Sequence, residues 1–320
     1  MKPCYSQDKH NNSSYDVMAT AVITLQALVG MWINAFIASV LCITWVKKKT
    51  FNSSDKILLF LGCSRFWYLC ISLALSIVSI SFPLCFYVHP FPELFLSIQS
   101  FLNFCNLWAS ACLCGFYCIK IGNFRHIFFI YLKLKIDRIV PWLLLSSVFL
   151  SLVIGAVVFN ITGEALCNDH NCTSQGDFWK LSAKRDEHFF PAIFIVGFGF
   201  ATAFTAVIFS AFLLLFSLCK HKHRMLANSA SDLSVDVHIK AIKSILSFFV
   251  IYSINFTCLI LSLIYSRGKT SPETFVILVL LYAFPTVHSL ILIFSNPKLE
   301  KTLLRTLSCV KCKVCVRYKP

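Results

Sequence analysis

Long apolar runs alternate with short polar or basic stretches along nearly the whole chain. The runs cover roughly residues 18–46, 56–82, 94–122, 140–160, 190–218, 241–265 and 273–294. A helix needs about 20 apolar residues to cross a bilayer, and each run is long enough. A helix also satisfies its own backbone in lipid, which an open strand cannot do. The pattern predicts an all-α membrane protein with seven transmembrane helices. Its parts are an N-terminal tail (1–17), the helix bundle (18–294) and a basic tail (295–320). The longest gap between runs, 161–189, leaves no room for a separate domain.

Lysine and arginine orient the bundle, because cytosolic loops carry the excess of both. Seven spans put the two termini on opposite sides. Loops 47–56, 120–138 and 219–243, with the tail from 295, hold 21 of these residues, against 7 in the N-tail and the other loops. The acids run the other way, 5 against 9. The N-terminus is therefore expected outside the cell and the C-terminus in the cytosol, as in a multi-pass plasma-membrane protein. Asn171, in the N-x-S/T sequon of the longest outer loop, is the candidate glycosylation site.

Composition agrees with the run pattern. The chain is 58% hydrophobic and 13% charged, with a mean hydropathy of +0.74. A soluble domain carries about a quarter charged residues. The net charge of +15 would otherwise point to nucleic acid. Its confinement to the flanks of spans, without a nucleic-acid-binding motif, points to topology instead.

Polar groups inside spans are costly and stand out as functional or structural candidates. Arg65 lies about nine residues into the second run ("LGCSRFWYLC"). Asn34 in the first run and His288–Ser289 in the seventh sit at comparable depth. The four are expected to share one hydrogen-bond network that holds helices together and serves as an activation switch. In the third run Gln99, Asn103, Asn106 and Ser110 recur at helical spacing on one face. With Asn255 of the sixth run they either line a ligand cavity or bond neighbouring helices. The residues alone leave both readings open.

Pro285 is expected to bend the seventh helix. Asn296–Pro297 falls after the apolar run and marks its boundary with the basic tail. Half of the 16 cysteines lie within apolar runs, as small buried hydrophobes do. Cys309, Cys312 and Cys315 lie among tail lysines, a pattern that fits S-palmitoylation better than a metal site. The pairing of Cys4, Cys85, Cys167 and Cys172 is open. The basic inner loops suit either anionic membrane lipid or a cytosolic protein.

Several segments, in order along the chain, carry a family resemblance: "GMWINAFI", "CSRFW", "LWASACLCGFYCIKIGNF", "SLCKHKHRM", "HIKAIKS" and "HSLILIFSNPKLEK". From the first span to about residue 305 the sequence resembles the bitter taste receptors, the type 2 taste receptors among G-protein-coupled receptors. The resemblance implies a receptor that catalyses no reaction and needs no cofactor. It implies small organic agonists, mostly bitter, bound in the outer half of the bundle, and a gustducin-like heterotrimeric G protein on the cytosolic side. Carried over by position, it implies agonist contact at Asn103, Asn255 and Leu278, beside Gln99 and Asn106. Relatives often have Trp at the position of Gln99, Tyr at that of Asn255 and, in some, an acid at that of Leu278. The implied pocket is uncharged and suited to neutral, hydrogen-bonding, amphipathic ligands. The inner ends at Lys120, Arg125, His221 and Lys240 are the implied G-protein face.

Other classes fit less well. A transporter is expected to show internal repeats and broken helices near mid-membrane. A channel needs a filter or a charge ring, and an enzyme needs a catalytic motif. None of these is visible in the sequence. Another seven-span chemosensory receptor, of the pheromone type, is the nearer rival, and the "HIKA" and "HSLILI" segments count against it.

Overall fold

The computed structural model describes residues 14–49, 51–81, 90–122, 126–167, 186–227, 246–261 and 272–317. They form helices α1 (Ser14–Lys48), α2 (Ser53–Ser81), α3 (Phe91–Ile121) and α4 (Ile127–Cys167). There follow α5 (Asp186–Ala227), α6 (Leu246–Leu261), α7 (Pro272–Ser295) and α8 (Pro297–Arg317). No strand occurs among the described residues. Helices α1 to α5 are each long and apolar enough to cross a membrane, α6 is a shorter apolar helix, and α7 joins α8 at a 98° bend.

Each run becomes a helix because its backbone has no other partner in lipid. Neighbours in sequence pack side by side. Helix α3 is central, against α2, α4 and α5, and α1 closes the bundle between α2 and α7. Leu41, Leu58, Leu61, Phe104, Leu113 and Ile293 are among the side chains in the shared core. Large apolar side chains are exposed on the perimeter, including Trp32, Trp142, Phe149 and Phe209. That inversion of a soluble surface is what lipid requires.

The helices outrun the apolar runs. Helix α4 starts at Ile127, although its run begins near residue 140. Hydropathy marks where lipid begins, whereas the leucines and lysines before it are good helix formers. The tail is also helical, over Pro297–Arg317. Its start explains Asn296–Pro297. The Asn296 Oδ1 accepts from the backbone N–H of Lys298 at 3.0 Å and of Leu299 at 3.4 Å. Its carbonyl accepts the first helical bond, from Glu300, at 3.0 Å. Asparagine is thus the N-cap, and proline takes the first helical position, where a missing N–H costs nothing. Lys298 pairs with Asp55 of α2 at 2.8 Å, and Leu299 is fully buried. These contacts fix the turn of α8 away from α7. Pro285 lies inside α7 as a helical residue.

Candidate functional site

Two glycines let α1, α2 and α7 come close enough for short polar side chains to meet. A Cβ at Gly30 would strike Thr286 and come within 2.7 Å of Leu69 Cδ1. A Cβ at Gly62 would sit 3.3 Å from Ile37. Asn34 then anchors itself to α1, with Nδ2 donating to the Gly30 carbonyl at 2.8 Å. Its Oδ1 stays free to accept from Ser289 Oγ at 2.8 Å. Pro285 lies four residues before Ser289 and cannot donate to the Leu281 carbonyl one turn earlier.

Arg65 lies at the centre of this layer and is 1% exposed. Its Nη1 donates to Ser289 Oγ at 2.9 Å and its Nη2 to Ser110 Oγ of α3 at 3.2 Å. Nη2 also contacts His288 Nδ1. Arginine has only donors, so Nδ1 must accept, and the ring is neutral with its proton on Nε2. The Tyr252 hydroxyl of α6 lies 3.4 Å from the same Nδ1. One nitrogen lone pair thus faces two donors from two helices. Phe248 and Tyr252 meet the imidazole edge to face, with centroids at 4.9 and 5.1 Å, and Phe284 lies at 5.6 Å. One turn along, Ser64 Oγ donates to Asn106 Oδ1 at 2.5 Å.

The layer therefore joins α1, α2, α3, α6 and α7 through neutral partners around one cation. Among the described residues no carboxylate pairs with Arg65; the ion pairs there are Lys120–Asp137 and Lys298–Asp55. The Arg65 Nε is buried with no hydrogen-bond partner. Burying a charge on neutral partners is expensive, so the arrangement persists only while all five helices keep their places.

The amide stripe on α3 divides. Asn106 is buried and its oxygen accepts from Ser64 Oγ, so this member of the stripe joins α3 to α2. Gln99 donates from Nε2 to Ser72 Oγ of α2 at 3.2 Å, and the hydroxyls of Tyr68 and Tyr282 both lie beside it. Asn103 and Asn255 differ from both. Each is half-buried, and neither amide has a hydrogen-bond partner among the described residues. Asn103 is two turns from Ser110, about 10 Å from the arginine layer, away from the end of the bundle where α8 begins. Each asparagine is followed in sequence by a phenylalanine that packs between helices. Phe104 packs on Phe200 at 4.8 Å, and Phe256 stacks on Phe204 at 4.3 Å and 3°.

At the α8 end Lys120 does not stand free. Its ammonium pairs with Asp137 of α4 at 2.8 Å, with both side chains about half exposed. Arg125, Lys240 and Asn171 lie outside the described residues, as do the side chains of Leu278, His221, Cys309, Cys312 and Cys315. Cys4, Cys85 and Cys172, and the side chain of Cys167, lie outside them too. Sequence reasoning missed Tyr252, Ser64 and the Asp55–Lys298 pair. Tyrosine and serine are common in spans and carry no signal alone. The two partners of the ion pair are 243 residues apart.

A model of the family described as Taste receptor protein (TAS2R) matches residues 12–311. Human taste receptor type 2 member 2 is 27% identical over 306 residues, which is 93% of this chain and 98% of that protein. Human taste receptor type 2 member 9 is 30% identical over 314 residues, 94% and 96% of the two chains. Human taste receptor type 2 member 39 is 31% identical over 288 residues, 89% and 85%.

Proposed function

The chain belongs to the type 2 taste receptor family of multi-pass, non-enzymatic receptors, and from that premise we propose that it senses small bitter organic molecules and activates a gustducin-type heterotrimeric G protein. The agonist sits in the half of the bundle away from α8, which faces outward. The α8 end is cytosolic, as its excess of lysine and arginine directs. One observation carries the ligand site: Asn103 and Asn255 are half-buried amides without partners among the described residues, each next in sequence to a phenylalanine that packs on a phenylalanine of α5. A half-buried amide left without a partner loses free energy that a bound hydrogen-bonding ligand restores. Both are neutral, so neutral amphipathic agonists are preferred over amines. Leu278 adds apolar surface, and Gln99 shapes the α2–α7 side through its bond to Ser72.

Signalling follows from a population shift. An agonist moves the equilibrium only by binding one bundle arrangement more tightly than the other. The layer of Asn34, Arg65, His288 and Ser289 is the bistable element. It ties α6 to α2 and α7 at one shared acceptor, His288 Nδ1, so a shift of α6 changes which donor holds it. Lys120, Arg125, His221 and Lys240 form the face that meets the G protein. Asn171 is glycosylated on the outer side, and Cys309, Cys312 and Cys315 are acylated on the inner side.

The ligand site is tested in cells expressing the receptor with a chimeric gustducin-type G protein and challenged with a bitter-compound panel. Asn103→Ala is expected to raise the half-maximal concentration about ten-fold, the loss of one buried hydrogen bond, at unchanged surface expression. Unchanged responses to every agonist in both Asn103→Ala and Asn255→Ala would falsify the site.

A further inference from the structure

Helix α4 overhangs its neighbours at the α8 end. The Lys120–Asp137 pair at 2.8 Å sets Asp137 level with the last turn of α3. Ser53, the first residue of α2, reaches the Asp137 carbonyl at 3.5 Å. The helix nevertheless begins at Ile127, so about 15 Å of it projects beyond both neighbours. Exposed Trp45 and Trp142 mark the membrane interface just above that level, since tryptophan collects at headgroup depth. The overhang thus starts where the acyl chains end.

Its side chains are sorted. Ile127, Ile130, Tyr131 and Leu134 recur at helical spacing on one face, and Ile127 and Leu134 are 83% and 79% exposed. That face lies opposite Ile136 and Val140, which are buried in the bundle. It therefore looks away from the helices, toward lipid, and not into the space between them. Lys133 and Lys135 lie to its two sides and Arg138 follows Leu134 by one turn on the face itself, all three exposed. Asp137, the acid nearest to them in the sequence, is already paired with Lys120. The three cations have no ion-pair partner among the described residues. Lys135 Nζ donates to the Tyr131 hydroxyl at 2.5 Å and lies 4.4 Å above its ring, so apolar, aromatic and cationic groups sit together at one depth.

We propose that the overhanging first turns of α4 bind anionic phospholipid headgroups of the adjacent leaflet through Lys133 and Lys135, with Arg138 at the base of the overhang and with Tyr131 and Leu134 seated at the interface. The leaflet is the cytosolic one in the orientation given above. The binding itself depends only on the membrane reading and not on any agonist. Phosphate oxygens supply the negative charge that the three cations lack, and anionic lipid is concentrated on the cytosolic side.

The full-length receptor in nanodiscs tests this with spin-labelled phosphatidylserine and spin-labelled phosphatidylcholine. The wild type is expected to hold phosphatidylserine preferentially. Lys133→Gln/Lys135→Gln/Arg138→Gln is expected to lose about five-fold in that preference for each cation that meets a headgroup. Lys47→Gln/Lys48→Gln/Lys49→Gln at the end of α1 is expected to keep most of it. Excess inorganic phosphate should leave it intact, because the site needs the lipid's depth as well as its charge. Equal association of the two lipids with the wild type overturns the proposal, as does an unchanged preference in the α4 triple variant. Competition by inorganic phosphate also overturns it. If the α4 variant instead loses agonist-driven nucleotide exchange in pure phosphatidylcholine while lipid preference stays unchanged, the surface serves the G protein and the lipid assignment is wrong.

Discussion

Arg65 keeps five helices in register while facing only neutral acceptors, so its partners matter more than its charge. Ser289 is the pivot: it donates to Asn34 and accepts from Arg65. Ser289→Ala strips a donor from one buried group and an acceptor from the other, at a cost of about 1–3 kcal/mol. The melting temperature of purified receptor should fall by a few degrees. Asn34→Ala should cost a similar amount. The two together should cost less than the sum, by a coupling of about 0.5–3 kcal/mol; strict additivity would mean that the pair is not in contact. The identities at this scale were legible in the sequence, because asparagine, arginine and histidine are costly inside apolar runs. Their division of labour was not. Spacing put Asn103 and Asn106 on one face of α3, but only the position of Ser64 shows that Asn106 is used internally.

At the scale of the helix, close approach is set by the smallest residues. Gly30→Val would drive a branched side chain into Thr286 and Leu69, and overpacking of this kind costs about 1–3 kcal/mol. Surface expression should fall clearly. Gly197→Val is the matched control: a Cβ there meets nothing within 4 Å, and expression should stay near wild type. The cap of α8 is a second element with a definite cost. Asn296→Ala removes the acceptor for two backbone N–H groups, worth about 1 kcal/mol. Hydrogen exchange of the Lys298 and Leu299 amides should accelerate severalfold, while the α3 amides remain protected. Apolar runs revealed where seven helices cross, but not where they end. The start of α4, where lysines interrupt the apolar residues, and the basic α8 escape a search for unbroken apolar runs, and the Asn296 cap emerges only when the helix after it is seen.

For the whole molecule, the asymmetry of lysine and arginine predicts an outer N-terminus and a cytosolic C-terminus. An N-terminal epitope tag should be reachable by antibody on intact cells, and a C-terminal tag only after permeabilisation. Asn171→Gln should abolish the mobility shift caused by endoglycosidase treatment. Orientation, the outer site and the cytosolic face belong to one account, in which neutral agonists at Asn103 and Asn255 rebalance donors around His288 and so move α6. The most direct measurement uses purified receptor in nanodiscs with a gustducin-type heterotrimer, following agonist-stimulated nucleotide exchange. Wild-type receptor should show a saturable, agonist-dependent rise in exchange. Asn103→Ala should shift the curve about ten-fold to higher concentration with its maximum kept, and Arg65→Leu should lower the maximum. Correctly inserted receptor that binds agonist yet leaves exchange at its basal rate would contradict the account.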